Sequence, residues 1–160
     1  MYCYFIISIF LVFGYSIEYP VEDLKQAKVV EFISTKTINY IDNLKSNGDD
    51  KYYHFQKQLD AYLERSKARV VLNNIDGAHS DLDQILMKNP EYWIAYYYKG
   101  KIYTSLLDYS SALPYLEIAV EKDVSFDDLL LLRGIARFEE NVKDLGLEDF
   151  EKLLKSNTLS

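Results

Sequence analysis

Several residue types that stabilise or equip small proteins are scarce in this chain of 160 residues. There is one cysteine, Cys3, so no disulfide can form within the chain and packing alone must hold the fold together. The two histidines, His54 and His79, lie in different predicted helices without a cluster of metal ligands around them. The sequence contains no glycine-rich phosphate loop, and no serine or cysteine nucleophile with a base at a recognisable spacing. These absences argue against an enzyme and predict no cofactor.

Basic residues are also in deficit. Eighteen Lys and Arg face 25 Asp and Glu, which gives a net charge of -7 and a pI of about 4.8. Binding to nucleic acid needs a basic surface, so nucleic acid is not an expected partner, and anionic membrane surfaces are disfavoured for the same reason. Hydrophobic residues make up 49% of the chain, a proportion typical of a folded globular protein rather than a disordered one.

The one long apolar run is at the start, where residues 1–13 carry no charged side chain. This run is shorter than the roughly 20 residues that span a bilayer. Gly14 and Ser16 place small residues at the -3 and -1 positions of a cleavage site, as in a secretory signal peptide. We therefore predict a signal peptide over residues 1–16 and a location in the endoplasmic reticulum (ER) lumen or outside the cell. A buried N-terminal helix and an uncleaved membrane anchor are the alternatives, and only the anchor would make the membrane a partner.

Similar residues recur every 34 positions through the last hundred residues. The recurring sets are Ser66, Gly100 and Gly134; Ala78, Ala112 and Gly146; Leu82, Leu116 and Phe150; Ile85, Ala119 and Leu153; and Tyr62, Tyr96 and Leu130. A period of 34 is that of the tetratricopeptide repeat (TPR), in which each repeat is a pair of antiparallel helices. Small residues at two of these positions would let the two helices of a pair approach closely.

The pattern predicts an all-α fold. Repeats at 59–92, 93–126 and 127–160 would stack into a right-handed TPR superhelix. Residues 17–58 form an N-terminal helical extension with one extra helix over about 21–47, because the repeat register would place Gly48 where a core aromatic residue belongs. We number repeat positions from 1 at Leu59, Trp93 and Asp127.

Two stretches indicate a narrower resemblance. Residues 92–100 (YWIAYYYKG) precede 112–116 (ALPYL), and residues 130–134 (LLLRG) precede 148–157 (EDFEKLLKSN). Their order and spacing resemble the first TPR subdomain of the ER-lumenal DnaJ co-chaperones. That resemblance implies a signal peptide, binding of unfolded polypeptides and a lumenal Hsp70 system as a further partner. It also implies a J domain, but no His-Pro-Asp tripeptide occurs in these residues, so stimulation of an Hsp70 ATPase by the usual route is not expected.

The first helix of each repeat lines the concave face of a TPR array. Repeat positions 2, 5, 9 and 12 predict that client polypeptides contact Leu63, Lys67, Ile94, Tyr97, Lys101, Leu131, Ile135 and Phe138. Such a surface would be an unusually apolar groove, suited to extended hydrophobic segments. Alternatively, the extra N-terminal helix or a neighbouring subunit covers these residues.

Two charged patterns have structural interpretations. Arg65, Lys99 and Arg133 recur at position 7, and we expect their stems to pack between helices while each charge reaches water or pairs with a carboxylate. The Lys, Asn and Arg clamp with which some TPR domains hold the C-terminal carboxylate of Hsp70 or Hsp90 is missing, which excludes that class of adaptor.

The sequence therefore favours a non-enzymatic TPR module that binds proteins and acts like a chaperone on unfolded clients in the secretory pathway. The alternative function is a scaffold or assembly adaptor, either self-associating or tethered to a membrane, without a chaperone role.

Overall fold

The computed structural model describes residues 21–44, 50–122 and 127–158, which form helices and no strand. Seven helices follow one another within these ranges. They are α1 (Val21–Asn43), α2 (Asp50–Val71), α3 (Ile75–Lys88), α4 (Trp93–Ser105), α5 (Tyr109–Lys122), α6 (Asp127–Glu139) and α7 (Lys143–Thr158). The all-α architecture and the extra N-terminal helix are as predicted. The predicted signal peptide, residues 1–16, lies outside the described residues, and so does Gly48.

The helices pair as consecutive hairpins, α2 with α3, α4 with α5 and α6 with α7, and the hairpins stack through the contacts of α3 with α4 and α5 with α6. Each hairpin turns within three residues. Its central residue adopts a positive φ, at Asn73 (58°), Leu107 (61°) and Asn141 (63°), and each of these residues lies one repeat period after the last. The turns end helices in the left-handed conformation that typically follows a helix C-terminus. The repeat is therefore present in the backbone as well as in the side chains.

Small residues bring the two helices of a hairpin into contact, as their spacing predicted. A Cβ atom added to Gly146 would lie 2.9 Å from the backbone oxygen of Gly134. One added to Gly100 would lie 2.5 Å from Leu116 Cγ. Position 8 therefore faces both position 20 and the large residue at position 24. Glycine is required here by close approach rather than by backbone conformation.

Among the described residues, the buried apolar side chains form two clusters. The first is centred on Leu59, Leu82 and Ile85 of α2 and α3. The second is centred on Leu116, Leu129 and Leu130 of α5 and α6. Tyr98 packs against both clusters and so lies between the first and second repeats. Burial of these side chains, each worth about 1.5–3 kcal/mol, is the main stabilising contribution in a chain with a single cysteine.

Helix α1 packs along α2 and is joined to it by polar contacts. Arg65 Nη1 donates to Thr35 Oγ1 at 3.2 Å, and Arg69 Nε donates to Glu31 Oε1 at 3.1 Å. Nearer the α1–α2 connection, Gln58 Nε2 donates to Asp42 Oδ1. The extra helix is thus fixed to the first repeat by contacts spread along its length.

Candidate protein-binding surface

The predicted groove residues lie on α2, α4 and α6, the first helices of the three hairpins. A polar bridge joins two of these helices. Lys101 Nζ donates to Asp128 Oδ2 at 2.9 Å and to the Tyr97 hydroxyl at 2.7 Å, and that hydroxyl donates to Asp128. The bridge fixes α6 relative to α4 at the positions predicted to meet a ligand. Its charges are already compensated within the chain.

On α2, Lys67 is also engaged. Its Nζ donates to Glu64 Oε1 at 2.7 Å and lies 5.1 Å from the centre of the Tyr98 ring. Burial alone would lower the pKa of Lys67, but the hydrogen bond to Glu64 and the neighbouring Tyr98 hydroxyl raise it above its ordinary value. Lys67 therefore stays charged and links the first repeat to the second.

Exposed apolar surface among the predicted residues is concentrated on α6. Leu131 and Phe138 are 38% and 40% exposed, and Ile135 between them is half-buried. Their spacing of four and three residues places them on one face of the helix. We call Leu131, Ile135 and Phe138 the α6 strip.

Two predicted groove residues are instead buried, and the prediction of their exposure is wrong. Leu63 is 7% exposed and packs in the first core cluster, and Tyr97 is 3% exposed and packs in the second. Ile94 is half-buried against the first cluster. The hairpins stack closely enough for the neighbouring repeat to cover these side chains, so the apolar face does not run the whole length of the array. Whether the predicted residues contact a ligand stays a prediction.

The basic series at position 7 pairs with carboxylates, as expected. Arg65 donates from Nε and Nη2 to Asp81 at 2.9 and 2.6 Å, and Arg133 donates to Asp149 with the same geometry. The hydrogen bonds to Asp81 raise the pKa of Arg65. Lys99 in the middle repeat donates to Asp83. These residues hold helices together rather than forming an anion-binding ladder.

The sequence reasoning missed the second cation of this arrangement. Arg69 donates to Asp81 at 2.8 Å and Arg137 donates to Asp149 at 3.0 Å. The two arginines are separated by twice the repeat period. The middle repeat has Tyr103 at this position, which interrupts the series at the single period. The two arginines recur only at double the period.

His79 lies between the first and second hairpins, and neither of its ring nitrogens has a hydrogen-bond partner among the described residues. Its ring packs against Tyr103 at 4.6 Å between centroids. Burial, and next the nearby Lys99, lower the pKa of His79 below its ordinary value of 6.5. A neutral imidazole therefore suits this position.

The described helices offer neither a metal site nor a membrane span. No group of three or more His, Cys, Asp or Glu side chains suited to a metal ion occurs within residues 21–44, 50–122 and 127–158. Across the same residues, every helix is too short or too polar to cross a membrane.

The stacked hairpins resemble those of solved structures. A crystal structure of MamA superposes with a TM-score of 0.60, with 18% sequence identity over 82% of this chain and 78% of that one. A MamA structure from Desulfovibrio magneticus RS-1 gives 0.58, with 20% identity over 81% and 74%. Together with the repeat period of the sequence, this likeness decides the fold. The chain has a TPR-like fold.

The curated relatives agree with the resemblance found in the sequence. DnaJ homolog subfamily C member 3 from Bos taurus is 27% identical over 99 residues, and the human protein is 26% identical over the same length. These matches cover 62% of this chain and 20% of each relative, so the chain spans about a fifth of the relatives' length. No protein-family model matches the chain.

Proposed function

We propose that the chain is a non-catalytic module that holds short apolar segments of other polypeptides against the α6 strip. The observation that carries this proposal is the exposure of Leu131 and Phe138, at 38% and 40%, on a helix whose other faces are built into the fold. Large apolar side chains grouped on one face of a soluble protein often mark a binding site. The TPR-like fold supports protein partners in general.

The neighbouring polar bridge defines the shape of this site. Asp128 lies one turn before Leu131 and holds both Lys101 and Tyr97 across the space between α4 and α6. Because these charges compensate one another, they offer a ligand hydrogen bonds without requiring it to carry a matching charge. The site therefore suits an extended, uncharged apolar segment, such as an unfolded polypeptide exposes.

The likeness to part of DnaJ homolog subfamily C member 3 supports a chaperone-like role on such segments. It extends over only a fifth of that protein, so a lumenal Hsp70 system as a partner, and the ER lumen or the outside of the cell as the location, are parts of the proposal. Binding at the α6 strip does not depend on either of them.

A double substitution tests the α6 strip. Leu131→Asp with Phe138→Asp puts two charges on the strip at exposed positions. We expect it to abolish the suppression of aggregation of a chemically unfolded polypeptide, while circular dichroism shows unchanged helicity. The matched control is Val142→Asp with Leu145→Asp, two residues at the start of the α7 region that are each 41% exposed. The proposal would be wrong if both variants suppressed aggregation as the original chain does, or if both lost this ability equally.

The alternative, a scaffold that assembles with other copies, has its own supporting observation. Leu147 and Leu154 are exposed seven residues apart on α7, on a face that could pack against another protein. Sedimentation at low micromolar concentration separates the two functions. A stable dimer that Leu147→Asp with Leu154→Asp dissociates supports assembly, and a monomer that still suppresses aggregation supports the chaperone-like role.

A further inference from the structure

The first two hairpins receive the next hairpin through three positions of their second helix. At repeat position 21, His79 packs on Tyr103 of the following hairpin. At position 25, Glu117 accepts from Arg137 of the following hairpin at 3.2 Å. At position 28, Val120 is 6% exposed and is buried in the cluster that α5 shares with α6. Positions 21, 25 and 28 therefore form the surface on which the next hairpin stacks.

Helix α7 has Leu147, Glu151 and Leu154 at these three positions. Leu147 and Leu154 are 50% and 66% exposed, so no following hairpin covers them among the described residues. The side chain of Glu151 is 69% exposed and lies 4.0 Å from Lys155 Nζ. Spacings of four and three residues put the three side chains on one face of the helix. We call Leu147, Glu151 and Leu154 the α7 strip, which is a stacking surface with an anion at its centre.

Helix α1 carries an exposed strip of the opposite charge. Ile33 and Tyr40 are 56% and 65% exposed, and Lys36 between them is also exposed. Its Nζ lies 5.4 Å from the centre of the ring of Phe32, which is itself exposed. Spacings of three and four residues put Ile33, Lys36 and Tyr40 on one face, and we call these three residues the α1 strip. It has a cation where the α7 strip has an anion.

The two strips match residue by residue when their helices run antiparallel. In that direction the residues face one another as Leu147 with Tyr40, Glu151 with Lys36, and Leu154 with Ile33. Helices joined by short connections pack in the same antiparallel direction inside the array. The central pair of a carboxylate and a cation repeats the pairs that join one hairpin to the next within the chain.

Charge opposes the pairing of two like strips. A twofold axis between two α7 strips would bring Glu151 of both copies together, because this residue lies next to the centre of its strip. Two α1 strips would bring two copies of Lys36 together for the same reason. Like charges that face each other across an interface disfavour association. Both charges are compensated only when the α7 strip of one copy meets the α1 strip of another.

We propose that the chain associates head to tail, with the α7 strip of one copy bound antiparallel to the α1 strip of a second copy. Because the two surfaces differ, each contact leaves one strip of each kind open, and further copies add as a chain or close a ring. The proposal goes beyond the function proposed above and does not rest on it, since the α6 strip takes no part in the contact.

The size of the surfaces sets the strength of this association. We expect a contact between single helix faces to bury less than the roughly 1,200 Å² at which stable interfaces begin. Each copy also carries a net charge of -7, which opposes the approach of a second copy. The chain should therefore be monomeric at low micromolar concentration and form head-to-tail assemblies as the concentration approaches millimolar.

Sedimentation velocity of the purified chain over this range of concentration tests the contact. We expect the mass to rise past that of a dimer. Glu151→Lys and Lys36→Glu should each weaken association at least about tenfold, because each puts like charges opposite one another. The matched control is Lys28→Glu, an exposed residue on another side of α1. It changes the net charge as Lys36→Glu does, and it should associate almost as the original chain does.

Combining Glu151→Lys with Lys36→Glu in one chain separates a specific contact from a general effect of charge. This double variant restores opposite charges across the contact and keeps the net charge at -7, so we expect the original association to return. A monomer at every concentration, association that stops at a dimer, or a double variant as weak as the single variants overturns the proposal. Suppression of aggregation should be the same in all these variants, so this contact can fail without affecting the test of the α6 strip.

Discussion

The first and third hairpins are held together differently from the second, although all three share one backbone. In the third, Arg133 and Arg137 converge on the fully buried carboxylate of Asp149, and the first has the same arrangement at Arg65, Arg69 and Asp81. The second hairpin has Lys99, Tyr103 and Tyr115 at these positions.

In that second hairpin the tyrosine rings stack at 5.7 Å, with Lys99 Nζ 4.9 Å from the centre of the Tyr115 ring. One repeat position can thus be filled by a buried ion network or by aromatic packing. What the fold requires there is a dense contact between the two helices, made either by a buried carboxylate and arginines or by aromatic rings. A buried ion network is therefore one of two ways to make this contact between the helices. The basic residues at position 7 thus have a structural role.

The largest loss of stability is expected when the buried carboxylate of the third hairpin is removed. Asp149→Asn leaves two arginines facing a neutral group in a buried site, and we expect it to cost about 3–5 kcal/mol of unfolding free energy. Urea denaturation followed by circular dichroism measures the change.

The matched variant replaces the whole network rather than breaking it. Arg133→Lys, Arg137→Tyr and Asp149→Tyr together give the third hairpin the residues of the second, and Glu117 can then accept from the new lysine as Asp83 does from Lys99. We expect this triple variant to lose less than about 2 kcal/mol, because exchanging a buried ion set for packed residues is often near neutral. A loss as large as that of Asp149→Asn would show that the two arrangements are not interchangeable.

The stability of the junction between the first two hairpins should depend on pH, because His79 lies there. His79 packs against Tyr103 of the aromatic set, with Lys99, Asp83 and Asp76 as the charges around it. Because burial and Lys99 lower the pKa of His79 in the folded state, protons bind the unfolded state first as the pH falls below 6.5. Stability that is present above pH 6.5 should therefore be lost progressively below it.

The substitution His79→Leu removes this titration, and Leu113 already occupies the same position of the second repeat. We expect the variant to lose less unfolding free energy than the original chain between pH 7.5 and pH 5.5, measured by urea denaturation at each pH. Parallel losses in the two proteins would assign the acid sensitivity to other groups.

The smallest expected effect concerns the turn of the second hairpin. Leu107 has a φ of 61°, where the first and third hairpins have asparagine. Left-handed backbone costs an ordinary residue about 1–2 kcal/mol, and asparagine tolerates it better. Leu107→Asn should therefore stabilise the chain by about 0.5–1 kcal/mol. The neighbouring Leu106 has the same exposure and a φ of -88°, so Leu106→Asn should give no gain. Equal effects of the two variants on stability would show that the positive φ at Leu107 does not cause the difference between the hairpins.

Particular residues show how far the sequence could be interpreted. Gly100, Gly134 and Gly146 predicted close helix pairs, because a close approach depends on local residue size and the period repeats it. Leu63 and Tyr97 were expected on an open face and are buried, because helix periodicity gives the direction of a side chain and not the distance to the next hairpin. Arg137 and Arg69 were missed because the tyrosine of the second repeat interrupts their series.

The repeat period of the chain, with small and large residues at fixed positions, determined the helices, their pairing and the TPR-like fold, because these follow from local size and hydrophobic spacing. The tertiary structure decided which groove residues stay exposed, which carboxylate each arginine binds and that Glu31 joins α1 to Arg69 of α2. Those features depend on how helices pack against one another, within a hairpin and between hairpins. Such packing brings together residues that no local pattern of residue types connects.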